Sequence, residues 1–292
     1  MTVIGMEPDA QLGVTQARVV KSEWIKFRSL RSTWWSIGIV LLVSIGLGVL
    51  FSDLRGNDIV HNGGFVPDQT ALTLRGFYLA QLAIGVLGVL FVTGEYSTGM
   101  IRATLSAVPK RVPAWAAKVA VFTAFVFVVT LIAAFIAFLG GQAVLGTYHL
   151  HGTITSGPKG GAGFIPDPHA PLHSLGVSLS HPGSLRAVFG AALYMVGVGL
   201  LGLGCGFILR NTGAAIASLF GLLLVLPLLA QALPSSLQQH VSKYLPLLAG
   251  TAGMTTRTDS GTLTPWAGLG VFGLYVVAAL AVGLIVLRRR DA

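Results

Sequence analysis

The chain has 292 residues, of which 53% are hydrophobic and only 10% charged, and its mean hydropathy is +0.78. A soluble domain carries about 25% charged residues, so a soluble globular protein is excluded and a bilayer must be the solvent. The net charge of +9 does not indicate nucleic acid here, because the cations follow a membrane topology, and the one cysteine, Cys205, excludes an internal disulfide.

Residues 1–16 read as a flexible lead. From 17 to 31, Val20, Trp24, Phe27 and Leu30 recur at three- and four-residue spacing, while Arg18, Lys21, Lys26 and Arg28 fall largely elsewhere. An apolar and aromatic stripe beside cations is the pattern of a helix lying in the membrane interface. No cleavable signal sequence precedes the first apolar run. Six stretches lack Asp, Glu, Lys and Arg, at 34–51, 76–93, 119–140, 187–209, 212–233 and 266–287. Each is long enough to span a hydrocarbon core of about 30 Å. Pro227 predicts a kink in the fifth.

With the N-terminus placed inside, thirteen of the nineteen Lys and Arg fall on the inner side and six on the outer side. That bias puts both termini in the cytoplasm of a cell-membrane protein. The inner loop 94–118 is polar and medium-length. In it, Glu95 is expected near a helix N-terminus, where the dipole favours a carboxylate. Tyr96, Gly99, Met100 and Ala103 are expected on one face of a short surface helix. The outer loop 141–186 is rich in Gly and Pro and is expected to hold little structure. His149, His151, His169 and His173 lie there at spacings that make them weak metal candidates. A weakly apolar piece, 244–254, is too short to span and reads as re-entrant or interfacial.

Several activities lack their sequence signals. No phosphate-binding G-x-x-x-x-G-K-[ST] loop occurs, and no H-E-x-x-H or Ser/His/Asp set lies near a span end. The match to G-x-G-x-x-G at Gly197, Gly199 and Gly202 lies inside a span, where it predicts close helix packing, together with Gly206. No span holds a charged residue, whereas ion-coupled pumps place ionisable groups at mid-membrane. Energy for transport would therefore come from a separate ATPase.

The segments Ser22-Glu-Trp-Ile-Lys-Phe-Arg-Ser-Leu-Arg-Ser-Thr-Trp-Trp35 and Gly94-Glu-Tyr-Ser-Thr-Gly-Met-Ile-Arg-Ala-Thr-Leu105, followed by Val108-Pro-Lys-Arg-Val-Pro113, resemble the type-2 ABC transporter permeases, particularly the actinobacterial subgroup. The resemblance implies an all-α integral membrane fold. It comprises one permease domain over 1–292, with six transmembrane helices, an N-terminal amphipathic elbow helix and a short cytoplasmic coupling helix. It also implies a non-catalytic subunit with no cofactor of its own. ATP and Mg would be bound by a partner ABC ATPase, and a second permease chain would complete the pathway. Glu95, Tyr96, Gly99, Met100 and Arg102 would dock the ATPase, and 244–254 would be the family's re-entrant element. Uncharged spans suggest an amphipathic, drug-like or lipid-like cargo for export. The alternatives from other classes are a membrane-anchored interaction or sensory protein and an ion-coupled transporter.

Overall fold

A computed structural model describes residues 15–62, 65–101, 111–156, 162–166, 169, 171–258 and 261–289. Arg102 and most of the 94–118 loop beyond Ile101 lie outside these residues, as does the lead up to residue 14. The first helix, α1 (Gln16–Ser29), is followed by the six helices long and apolar enough to span: α2 (Arg31–Asn62), α4 (Phe77–Ser97), α5 (Arg111–Leu145), α6 (Ser184–Leu209), α7 (Thr212–Ala230) and α10 (Pro265–Arg289). Short helices α3 (Gln69–Thr73), α8 (Ser235–Val241) and α9 (Pro246–Thr251) lie in the connections between them. The chain is an all-α integral membrane protein.

Two spans run well past the apolar stretches that predict them. α2 has 32 residues and α5 has 35, so they measure about 48 and 52 Å against a core of about 30 Å. Helix propensity and tertiary contact continue the helices where hydropathy stops. Beyond residue 51, α2 carries the Arg55–Asp58 ion pair one turn apart. α5 begins ahead of the predicted span and therefore includes Lys118. α7 ends at Ala230 and holds a π-helical stretch, Gly221–Val225, just ahead of Pro227. A proline ring clashes with the carbonyl four residues back, and the wider turn accommodates it.

α6 is the central helix, with 72% of its most apolar window buried, against 22–33% for α2, α5, α7 and α10. Glycines make that centre possible. A Cβ at Gly88 would lie 2.0 Å from the carbonyl oxygen of Gly199, and one at Gly202 would lie 2.3 Å from that of Gly85, so α4 and α6 touch backbone to backbone. On the other face of α6, Gly197 receives the Phe272 ring and Gly204 faces Ala279, both of α10. The expected role of the glycine pattern in close packing holds.

The outer loop is not unstructured. β1 (Phe65–Val66), β2 (His149–Ser156), β3 (Ala162–Pro166) and β4 (Leu172–Ser174) form an antiparallel sheet in the order β1-β3-β2-β4. Leu150 and Leu175 bury against Ile59, Leu72 and Leu145, which fastens the sheet to the ends of α2, α3 and α5. Tyr148 lies over Gly56 and donates to Asp53 at 2.7 Å. This apolar anchor outweighs the breaker residues that suggested a loop.

The sheet also separates the histidines. Leu150 pairs with His173, so His173 shares its face, while His149 and His151 lie on the opposite one. His169 sits in a turn. Among the described residues, no three His, Cys, Asp or Glu gather as a metal set.

The 244–254 piece is helical and packed in. α9 lies between two 3-10 turns, Ser242–Tyr244 and Ala252–Met254, with Gly250 against Tyr194 and Gly253 against Leu269.

Candidate functional site

The ends of the spans at Arg31, Ser97, Arg111, Leu209, Thr212 and Arg289 gather at one end of the bundle, where α1 also lies. Arg111 donates to the carbonyls of Leu287 at 2.6 Å and Arg288 at 3.2 Å, and Arg210 donates to that of Val286 at 3.4 Å. Two guanidiniums therefore cap the exposed carbonyls at the negative end of α10. Thr212 of α7 donates to Thr93 of α4 at 2.8 Å.

α1 is set against this end by a stripe one residue off the expected one. Its buried residues are Val19, Glu23 and Phe27, at four-residue spacing. Of the four expected apolar positions, Phe27 is fully buried and Val20 half-buried, whereas Trp24 and Leu30 are exposed. Trp24 lies against Phe125 with ring centroids 5.6 Å apart. Leu30 has left the helix as its C-cap. Thr33 donates to the Phe27 carbonyl at 2.9 Å and Trp34 to that of Arg28 at 3.0 Å, which ties the end of α1 to the start of α2.

Glu95 departs furthest from its expected place. It stands in the last turn of α4, not at a helix N-terminus, and it is buried. The helix dipole disfavours a carboxylate there, so its charge is held by side chains. Lys26 of α1 lies 3.1 Å from Glu95 Oε1, and Lys118 of α5 lies 3.0 Å from the same oxygen. Glu23 completes a ring, with Oε1 2.7 Å from Lys26 and Oε2 2.7 Å from Lys118. Two acids and two bases from three helices thus close on one another with no net charge. Phe27, Phe91 and Phe122 pack edge-on or stacked around the ring, and Lys118 Nζ lies 4.0 Å over the Phe91 face. The second oxygen of Glu95 is buried and has no hydrogen-bond partner among the described residues.

Sequence reasoning missed the ring because each member looked ordinary. The available signal was that Glu23 is the one acid of a basic helix and lies four residues from both Val19 and Phe27.

Burial pushes the Glu23 carboxyl up, but Lys118 and Lys26 outweigh it and hold the group below its ordinary value. Burial pushes Lys26 down, and Glu23 and Glu95 outweigh that to hold it above the ordinary lysine value. The Glu23 contribution to stability is complete above its unfolded pKa of about 4.3 and is lost as pH falls through the lower folded value. The Lys26 contribution is complete below about 10.4 and is lost as pH rises through the higher folded value. We expect the stability difference between the wild-type chain and Glu23→Gln, read by thermal unfolding in detergent, to be flat near neutrality and to shrink below about pH 4. A difference that does not change with pH would show that the Glu23 charge is not used.

After the ring the chain turns. Thr98 donates through its amide to the Gly94 carbonyl, and Gly99 takes the left-handed conformation at φ 70°. This is the usual glycine stop of a helix. Met100 and Ile101 then resume helical geometry, with Met100 exposed and Ile101 buried. Tyr96, half-buried under the Arg210 guanidinium at 5.0 Å, and Met100 lie on opposite sides of that turn. They do not share a helical face as expected, because the left-handed residue breaks the helix between them. Among the described residues, the four ring charges are committed to one another and none is open to a substrate. It is a mechanical junction of α1, α4 and α5 beside an exposed turn.

Residues 19–156 match the family described as ABC-2 family transporter protein. Over these residues, just under half of the chain, the protein is similar to that family. The match begins in α1, and all four ring residues lie within it. The ABC-2 permease is a transmembrane transport component, which fits its six apolar helices. The 244–254 piece and Arg210 lie beyond the matched residues. No curated protein matches the chain significantly.

Proposed function

We propose that this permease is the non-catalytic membrane subunit of an ABC exporter, with the ring end in the cytoplasm and a second permease chain completing the pathway. ATP and Mg are bound by a partner ATPase, which docks on the segment that follows the Gly99 turn. Met100, exposed there, and Arg102 meet the ATPase. Glu95 and Tyr96 hold the segment in place from behind.

The observation that carries this reading is the ring itself, four residues ahead of Gly99. Glu95 is bound to Lys26 and Lys118, so a push on the 94–118 segment moves α1, α4 and α5 together and does not simply bend α4. Closure of the ATPase dimer then rocks the bundle between inward-facing and outward-facing states. The cation bias toward the ring end supports a cytoplasmic placement. The uncharged apolar stretches within the spans favour an amphipathic or lipid-like cargo.

The test is co-purification of the tagged chain with its ATPase, together with flux. Among the described residues nothing lies within 4 Å of a Cβ at Gly99, so a substitution acts through φ, at about 1–2 kcal/mol for a residue other than Asn or Gly. Gly99→Val is expected to lower ATPase recovery several-fold, Gly99→Asn to retain most of it, and Glu95→Ala to lose it along with the ring. Recovery of the chain without any ATPase, with flux unchanged on deletion, would sink the exporter reading.

A further inference from the structure

At the opposite end of the bundle, a cavity of about 270 Å³ lies between the start of α4 and the α9 region. Its polar wall includes Lys243 and Arg257, and its apolar wall includes Tyr78, Leu248 and Leu263. Both cations are half-buried. Neither makes an ion pair among the described residues, and no Asp or Glu is among the described residues that line the cavity. The nearby carboxylate, Asp68, is committed elsewhere. One oxygen caps α3 through the Ala71 amide at 3.0 Å, and the other accepts from the Thr256 amide and hydroxyl and the Arg257 amide. The Thr251 and Thr255 hydroxyls donate to carbonyls of their own helical turns. The donor capacity facing the cavity is therefore largely cationic.

Two like charges beside an apolar wall repel each other and lose hydration, which an anion would relieve. A guanidinium fork suits a phosphate oxygen pair, and a lysine adds a point charge. The volume falls just below the usual range of about 300–1,000 Å³ for drug-sized ligands, so it fits a headgroup and its first carbons. Tyr78, Tyr244 and Leu248 are exposed beside it. Tyrosines beside a lysine are the side chains found at the bilayer boundary, and here they offer a path for an acyl tail.

We propose that this cavity binds the phosphate head of an anionic amphiphile, with its tail along Tyr78, Tyr244 and Leu248. The site goes beyond the export reading, and its test needs neither ATPase nor flux.

The full chain in a neutral detergent is titrated with short-chain dihexanoyl phosphatidylglycerol, with dihexanoyl phosphatidylcholine and with inorganic phosphate. The wild-type chain is expected to bind the glycerol lipid roughly tenfold or more tightly than either of the others. Lys243→Gln/Arg257→Gln is expected to lose roughly tenfold or more of that affinity. Arg55→Gln, at an outer cation already paired with Asp58, should leave it unchanged, and thermal unfolding confirms that each variant is folded. Equal binding of phosphatidylcholine, or unchanged affinity in a folded double variant, would overturn the site. Inorganic phosphate binding as tightly as the lipid would overturn its amphiphilic character.

Discussion

Lys118→Met is expected to undock α1 from the bundle at a cost of about 3–5 kcal/mol, the usual loss when one partner of a buried ion pair is removed. The side chain is 4% exposed and touches both Glu23 and Glu95. Methionine fills a similar volume, so the change is chiefly one of charge. Two buried carboxylates would then share Lys26 alone, and one of them must take up a proton. The defect should therefore lessen as pH falls, opposite in direction to the loss expected for the intact ring. Glu23→Gln/Lys118→Met removes one charge of each sign and should recover a large part of the loss, because the surviving Lys26–Glu95 pair is balanced. Thermal unfolding and tryptic cleavage within α1 report the two effects. A single variant that melts like the wild-type chain, or a double variant whose losses simply add, would show that the ring does not hold α1.

Gly88→Leu should be the most damaging change within the spans. Even the first carbon would lie 2.0 Å from the Gly199 carbonyl oxygen, so the central pair of helices must separate. Overpacking costs about 1–3 kcal/mol where side chains can yield. A carbonyl in a helix cannot, so the loss should reach or exceed the top of that range. Gly270→Leu is the matched control, since a Cβ there meets nothing within 4 Å. Size-exclusion profiles and thermal unfolding of the two proteins in the same detergent compare them. Equal behaviour would mean that α4 and α6 can repack without close contact.

The spans were the most legible part of the chain. A run such as 119–140 without a charge has few alternatives to crossing a bilayer, and the cation bias needs no tertiary information. Gly197, Gly199 and Gly202 were also readable as a packing surface. The direction each one faces was not, because a two-residue shift, from Gly202 to Gly204, exchanges α4 for α10 as the neighbour. The sheet over His149–Ser174 was hidden by Gly and Pro and is held by Leu150 and Leu175, whose partners are distant in sequence.

The site divides in the same way. Local pattern placed a helix near residue 17, since amphipathic spacing acts within a few residues, but it read straight through Gly99, where the left-handed residue stops the helix. The amino-acid sequence by itself determined six uncharged stretches long enough to span a membrane, a cation bias toward one side of them, and no match to the G-x-x-x-x-G-K-[ST] pattern. Only the tertiary structure decided that Glu23, Lys26, Glu95 and Lys118 form one ring. A buried charge is defined by the groups that surround it, and here those groups lie as many as 95 residues apart in the chain.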